Sequence, residues 1–187
     1  MNVTGRPARY SGIAQLLHWT VAALIVVQYV LINLAEDNPS KMQQLALITR
    51  HKSFGMTVLM LAAVRLAWRL FNPPPELPSG MRPYERLIAR LTHVAFYVLL
   101  FATPLAGWLM SSARGFTVSW FGLFSWPNLI AQDKGNFEML KEVHEALAAT
   151  LFFLAILHVA AALKHHFWDK DDVLRRMLPF GGNRSGS

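Results

Sequence analysis

The stretch HEALAATLFFLAILHVAAALKHHF, residues 144–167, decides how this chain is read. It is apolar over more than the roughly 20 residues a helix needs to cross a bilayer, yet it holds His144, His158, His165 and His166. Burying a ring nitrogen among apolar side chains costs free energy unless it finds a partner, so each of the four asks for one. His144 and His158 are fourteen residues apart. At about 3.6 residues per turn and 1.5 Å per residue, both fall on nearly one helix face, roughly 20 Å apart along the axis.

The rest of the chain is of the same kind. Hydrophobic residues make up 53% of the 187 and charged residues only 16%, a balance that argues against a soluble domain. The apolar residues gather in blocks rather than short periodic runs, and the blocks predict membrane helices over about 13–34, 51–70, 90–111 and 142–164. The fold class expected is all-α, an integral membrane four-helix bundle forming one domain over 1–187, without repeat or soluble second domain. Arg65 and Arg69 close the second span, where long basic side chains reach the headgroups. The first block, preceded by Arg6 and Arg9, is too long for the apolar core of a cleaved leader and contains His18, Gln28 and Tyr29; a retained span is expected.

Basic residues orient the bundle. Of the 18 Lys and Arg, only Lys41, Arg50, Lys52, Arg114, Lys134 and Lys141 lie in the first and third connections, so both termini are expected on the cytoplasmic side. This asymmetry accounts for the net charge of +7 without nucleic-acid binding. The connections read as a partly helical segment 35–50, a proline-rich stop FNPPPELPSG with an amphipathic lead-in from Tyr84, and an aromatic segment FTVSWFGLFSWPNLI expected in the outer interface. The chain lacks cysteine, which excludes disulfides, iron–sulfur clusters and covalent C-x-x-C-H haem attachment.

Depth sorts the histidines. His51 and His144 fall at the outer level, His18 and His158 at the inner one. Two histidines from different helices, facing each other across a bundle interior, provide what a bis-imidazole haem needs. Small residues run beside them: Ala22 after His18, Gly55 one turn after His51, and Ala148, Ala155 and Ala162 with Leu151 on the last helix. A single histidine here is as well explained by a bond to a neighbouring carbonyl, and small residues by ordinary helix packing; two layers matched in depth are harder to explain so. A metal-ion pathway is the rival, but none of the four spans holds an interior Asp or Glu to compensate a cation's charge,. Met56, Met60 and Met110 read as packing residues rather than ligands.

Four segments carry a family resemblance: RYSGIAQLLHW (9–19), RHKSFG (50–55), RLTHVAFYVLLFATPLAGWLMSS (90–112) and VHEALAATLFFLAILHVAAALKHHFWDKDDVLRRM (143–177). Together they resemble the bacterial cytochrome b561 family, similar in turn to the cytochrome b subunits of hydrogenases and formate dehydrogenases. The resemblance implies two non-covalent haem b groups, the inner one held by His18 and His158 and the outer one by His51 and His144. It implies a multi-pass protein of the bacterial inner membrane that passes electrons between an outer-face donor and quinone, ubiquinone among the candidates. One member class oxidises superoxide and reduces ubiquinone. An ion or proton channel is the weakest alternative. The helix-3 histidine of the family falls at His93, not as a ligand but as a residue lining the inner haem or a quinone pocket.

Other residues keep two readings. Lys164, His165 and His166 with Trp168 serve as an interfacial anchor, or contact a haem propionate or quinone, with His165 on the face of His158 and able to donate a proton. Arg65, Arg69 and Arg9 are within reach of inner propionates. Arg50, Lys52, Arg114 and Lys141 are solvated loop charges, or cradle outer propionates and attract an anion such as superoxide.

Overall fold

The computed structural model describes residues 9–78 and 80–179; Arg6 and the tail beyond Pro179 lie outside them. Four long helices dominate: α1 (Gly12–Glu36), α2 (Lys41–Phe71), α3 (Pro83–Ala113) and α4 (Lys134–Phe167). All four are long and apolar enough to cross a membrane. Between α3 and α4 sits a small antiparallel hairpin, β1 (Val118–Trp120) and β2 (Phe124–Trp126), and a short helix α5 (Val173–Met177) follows α4. The protein is a membrane four-helix bundle.

The helix ends follow from local chemistry. Ser11 caps α1 by accepting the Ala14 amide, and Asp133 caps α4 by accepting that of Asn136, each satisfying an amide with no partner inside the helix. Pro83 opens α3, where its missing amide costs nothing, and Glu85 reaches back to the Arg82 amide,. The prolines after Asn72 stop α2.

Two helices run past the spans expected from hydropathy. α2 begins at Lys41 and α4 at Lys134, so His51 and His144 lie well inside helices rather than at their starts. The reason for α2 is visible in its first turns: Met42, Leu45, Ala46 and Thr49 recur at helical spacing and face the hairpin tip at Phe121 and Gly122, lining a hollow of about 500 Å³ with Arg50 and Ser53.

α1 packs on α2 and α3 on α4, and α2 against α3 joins the two pairs. Between α1 and α4 side chains cross instead: the Tyr29 hydroxyl donates to the Ala148 carbonyl at 2.5 Å. A tight core of Val21, Val58, Ala62 and Leu100, flanked by Leu24, Ile25, Leu61 and Phe101, fills the middle of the bundle. Most large apolar residues of α4 face outward, Phe153, Leu157 and Val159 among them, as lipid contact requires.

The hairpin is fastened to one end of the bundle. Its strands pair Val118 with Trp126 and Trp120 with Phe124. Its turn uses Phe121 and Gly122 at positive φ, 51° and 76°. Phe121 tolerates that conformation because its amide donates to Ser53 Oγ at 3.1 Å and its ring meets Phe54 edge-on. Trp120 Nε1 donates to Thr57 Oγ1, and Trp108 Nε1 to the Pro127 carbonyl, both at 3.0 Å.

At the opposite end the first and last described segments meet. Arg9, Gln15 and Trp19 donate to the carbonyls of Leu178, Arg176 and Met177 at 2.7, 3.1 and 3.0 Å, and Arg176 reaches the Glu76 carbonyl in the α2–α3 connection. A strap made of α5 and its flanks thus closes the end that carries both termini.

Candidate functional site

Two pairs of imidazoles face each other across the bundle interior. At the hairpin end, His51 of α2 and His144 of α4 have ring centroids 6.2 Å apart. At the termini end, His18 of α1 and His158 of α4 are 6.3 Å apart. These separations have a chemical meaning. A ring nitrogen lies about 2 Å from a metal it ligates, so two imidazoles on opposite sides of one ion stand about 6 Å apart between centroids.

The hairpin-end pair is oriented by backbone. His144 Nδ1 lies 2.9 Å from the Thr103 carbonyl and His51 Nδ1 3.3 Å from that of Gln28. A carbonyl only accepts, so both rings carry their proton on Nδ1 and leave Nε2 as a lone-pair donor. A metal-ligating histidine needs this arrangement.

The seat of His144 is written in α3. Pro104 breaks the regular bonding of α3 beside Thr103,, and one turn on, Gly107 leaves the ring its space. A Cβ at Gly107 would stand 3.0 Å from His144 Cε1 and 3.1 Å from Nδ1. Gly55 serves a related purpose on α2, where a Cβ would meet Gln28 Nε2 at 3.0 Å. Gln28 Oε1 and Thr103 Oγ1 are buried there without a hydrogen-bond partner.

The termini-end pair is built differently. His18 Nδ1 faces Arg65 Nη1 at 2.9 Å. His158 makes no hydrogen bond among the described residues and is ringed by aromatics: His93 at 6.0 Å and Phe96 at 5.2 Å between centroids, both edge-on. Here three histidines converge, with Arg65 beside them. The Arg69 guanidinium lies 5.6 Å from the Tyr97 ring centroid, and Arg9 donates into the strap.

The remaining charged candidates separate by place. Lys52, next to His51, is half-buried, donates to Ser111 Oγ at 2.8 Å and lies 5.5 Å over the Phe116 ring. Arg114 stacks on Phe137 at 4.7 Å. Lys141 pairs with Glu145, both exposed, and Arg50 borders the hairpin hollow. Beyond the termini-end pair, His165 Nδ1 is 2.7 Å from Asp171 Oδ2 and 3.0 Å from Asp169 Oδ2. Lys164 bonds Glu85 at 2.9 Å and Asp169 at 2.8 Å and so holds the Asp169 carboxyl below its ordinary range. His166 Nδ1 is buried without a partner, beside a separate hollow of about 350 Å³ shared with Phe167, Lys170, Asp171 and Arg175.

Reading the sequence alone missed Thr103, Gly107, Gln28 and Asp171. A signal for the first two existed: T-P-x-x-G inside an apolar span marks a helix bent and thinned at one level. Gln28 and Asp171 act through contacts between segments that no local pattern announces.

The donor set fits a b-type haem. The rings are neutral nitrogen ligands in pairs, the spacing suits one metal per pair, and the hairpin-end rings are held in the ligating tautomer by backbone carbonyls. Comparison with known proteins points the same way. The family model described as prokaryotic cytochrome b561 matches residues 9–180. The chain is similar to cytochrome b561 homolog 2 of Escherichia coli K12, 35% identical over 184 residues that cover 95% of each protein. It is similar also to the probable superoxide oxidase CybB of Yersinia pestis, 31% identical over 91% of this chain and 96% of that one. Cytochrome b561 homolog 1 of E. coli K12 is 27% identical over 91% of this chain and 97% of its own.

Proposed function

Because the chain belongs to the prokaryotic cytochrome b561 family, whose members transfer electrons in membranes, we propose that it is a dihaem cytochrome of the bacterial inner membrane. It carries electrons from a donor at the hairpin end to a quinone at the termini end, with both termini cytoplasmic. The observation that carries this reading is the pair of facing imidazole couples, 6.2 and 6.3 Å apart, stacked at two depths along α4.

Haem iron, when bound, supplies the one-electron chemistry. The protein does the rest. His51 and His144 would hold one haem and His18 and His158 the other. Thr103 and Gln28 fix the tautomer at the hairpin end, and Gly107 and Gly55 let the helices close around the rings. A ring that ligates through Nε2 keeps its proton on Nδ1, where a guanidinium N–H has nothing to bond. Arg65, now 2.9 Å from His18 Nδ1, would therefore release that ring on ligation, and its charge would be available to an anionic group of the haem. Lys52, held among the described residues by the Ser111 hydroxyl and the Phe116 ring face, would do the same at the hairpin end. His93 and Phe96 wall the termini-end pair where a quinone head group takes the electrons.

A reduced-minus-oxidised visible spectrum of the purified protein tests this. Low-spin b-type haem near two per chain is expected, and a preparation that takes up no haem would sink the proposal.

A second reading rests on a specific relative, the probable superoxide oxidase of Y. pestis. Lys52 and Arg114 at the hairpin end supply the positive field that would draw a small anion inward. Mixing the oxidised protein with a superoxide source decides it: reduction much faster than for a generic b-type cytochrome is expected on this reading, and equal rates remove it.

A further inference from the structure

The face of α4 that bears His158 carries another histidine two turns later. His165 lies roughly 10 Å further along the axis, at the termini end, with its side chain 15% exposed. Its Nδ1 meets Asp171 Oδ2 at 2.7 Å. Asp171 is held in turn. Its Oδ1 accepts the Val173 amide at 3.0 Å, and its own amide donates to the His165 carbonyl at 3.1 Å. Lys170, just before it, adopts φ 55°, a left-handed conformation that costs a non-glycine residue free energy. The chain is bent back at that cost, and the result places a carboxylate on the ring.

The neighbouring charges are largely spoken for. Asp169 Oδ2 also lies 3.0 Å from His165 Nδ1, further than Asp171 Oδ2 at 2.7 Å, and is held by Lys164, which it shares with Glu85 of α3, with Arg82 close enough to act on Asp169. On α5, Arg176 is paired with Asp172, and Lys170 and Arg175 border the hollow that Asp171 also lines. Asp171 has His165 as its ion-pair partner. An imidazole held at Nδ1 by a carboxylate, with Nε2 left over, is the arrangement of an oriented general acid and base.

We propose that Asp171 is the positioning residue of a proton-delivery dyad with His165. The inference rests on the reading of the termini end as a quinone site. Reduction of a quinone to a quinol takes two electrons and two protons. The electrons arrive singly from a one-electron donor at the hairpin end, by way of the two histidine pairs. Each proton leaves His165 Nε2 for a quinone oxygen: the N–H bond breaks, an O–H bond forms, and the ring takes a new proton from water at that end. Asp171 stays ionised. It keeps the ring in one tautomer and stabilises its protonated form, and the dyad cycles twice per quinol.

The experiment uses the haem-loaded protein in detergent. The haem is reduced, mixed with a short-chain ubiquinone analogue between pH 6 and 9, and its reoxidation followed. Asp171→Asn should leave the haem spectrum unchanged, slow reoxidation by about 100-fold, and make the rate fall off at lower pH than in the unsubstituted protein. Asp171→Glu should restore most of the rate. His165→Gln, which leaves the Asp171–Val173 anchor in place, should lose as much as Asp171→Asn, and the double variant no more than either. The proposal is overturned if Asp171→Asn and His165→Gln both keep the unsubstituted rate and pH profile, or if the rate drops with the profile unmoved, as a purely structural role would give. Failure of the unsubstituted protein to be reoxidised by the analogue at any pH removes the quinone reading itself, and the dyad with it.

Discussion

The two histidine pairs share a spacing and differ in everything around it. At the hairpin end, backbone carbonyls of Gln28 and Thr103 hold the rings, and a glycine makes room for one of them. At the termini end, a guanidinium touches His18, while His158 sits among His93 and Phe96 without a hydrogen bond. A carbonyl that accepts from Nδ1 makes the imidazole a more basic ligand. A cation near the metal favours the more negative, reduced state instead. Lys52 also puts a cation beside His51, so the contrast between the ends lies in what Nδ1 meets: a carbonyl for both hairpin-end rings, a guanidinium for His18.

The largest effects should come from the shared helix. His144→Ala should remove one haem and His158→Ala the other, each leaving about half the absorbance of the unsubstituted spectrum. If either variant keeps both haems, the pairing is wrong. Next comes the seat of His144. Gly107→Val puts side-chain atoms where the ring stands, an overpacking that costs about 1–3 kcal/mol. It should weaken haem binding at the hairpin end alone, read by retention of one haem through purification. Loss of both haems would mean that α3 carries the whole bundle rather than one level.

Arg65→Gln separates the pairs electrically. A unit charge about 7 Å from a bound redox centre, at an effective dielectric constant near 20, would be worth on the order of 2 kcal/mol, or about 100 mV for a one-electron couple. A redox titration should show one midpoint falling by about that amount and the other holding still. Equal movement of both midpoints would erase the contrast between the two ends.

The smallest effect concerns the termini-end strap. Lys164 lowers the carboxyl of Asp169 below its ordinary value of 3.8. A lowered carboxyl lends its stabilisation in full above the ordinary value and loses it as pH falls through the lowered one. Hydrogen-exchange protection in residues 168–178, taken relative to the intrinsic rate at each pH, should therefore hold through neutral and mildly acid pH and be lost only below about 3.8. Quickening near pH 6 would assign the tether to a histidine instead.

How much of this was legible in the sequence depends on the range of the contacts. The four spans follow from unbroken apolar blocks, and the depth of each histidine follows from its place in its block. Helix ends beyond the blocks did not follow. The first turns of α2 fall in the segment read as partly helical, but their continuity with the span does not show there, and their apolar stripe at Met42, Leu45 and Ala46 has meaning only once the hairpin packs on it. The hairpin itself read as an aromatic belt. Its strands are three residues long, too short for alternation to stand out, and its turn is held by Ser53, far away in sequence. Asp171 looked like one more charge in a charged tail. Only the fold-back at Lys170 brings it to His165.

The strap has a consequence for biosynthesis. Trp19 and Gln15 find their partners 158 and 161 residues downstream, so α1 enters the membrane long before the groups that complete its end exist. Those partners are main-chain carbonyls, and side-chain identity at 176–178 is not what α1 recognises. That end of α1 is therefore completed only after α4 and residues 176 and 177 have been made.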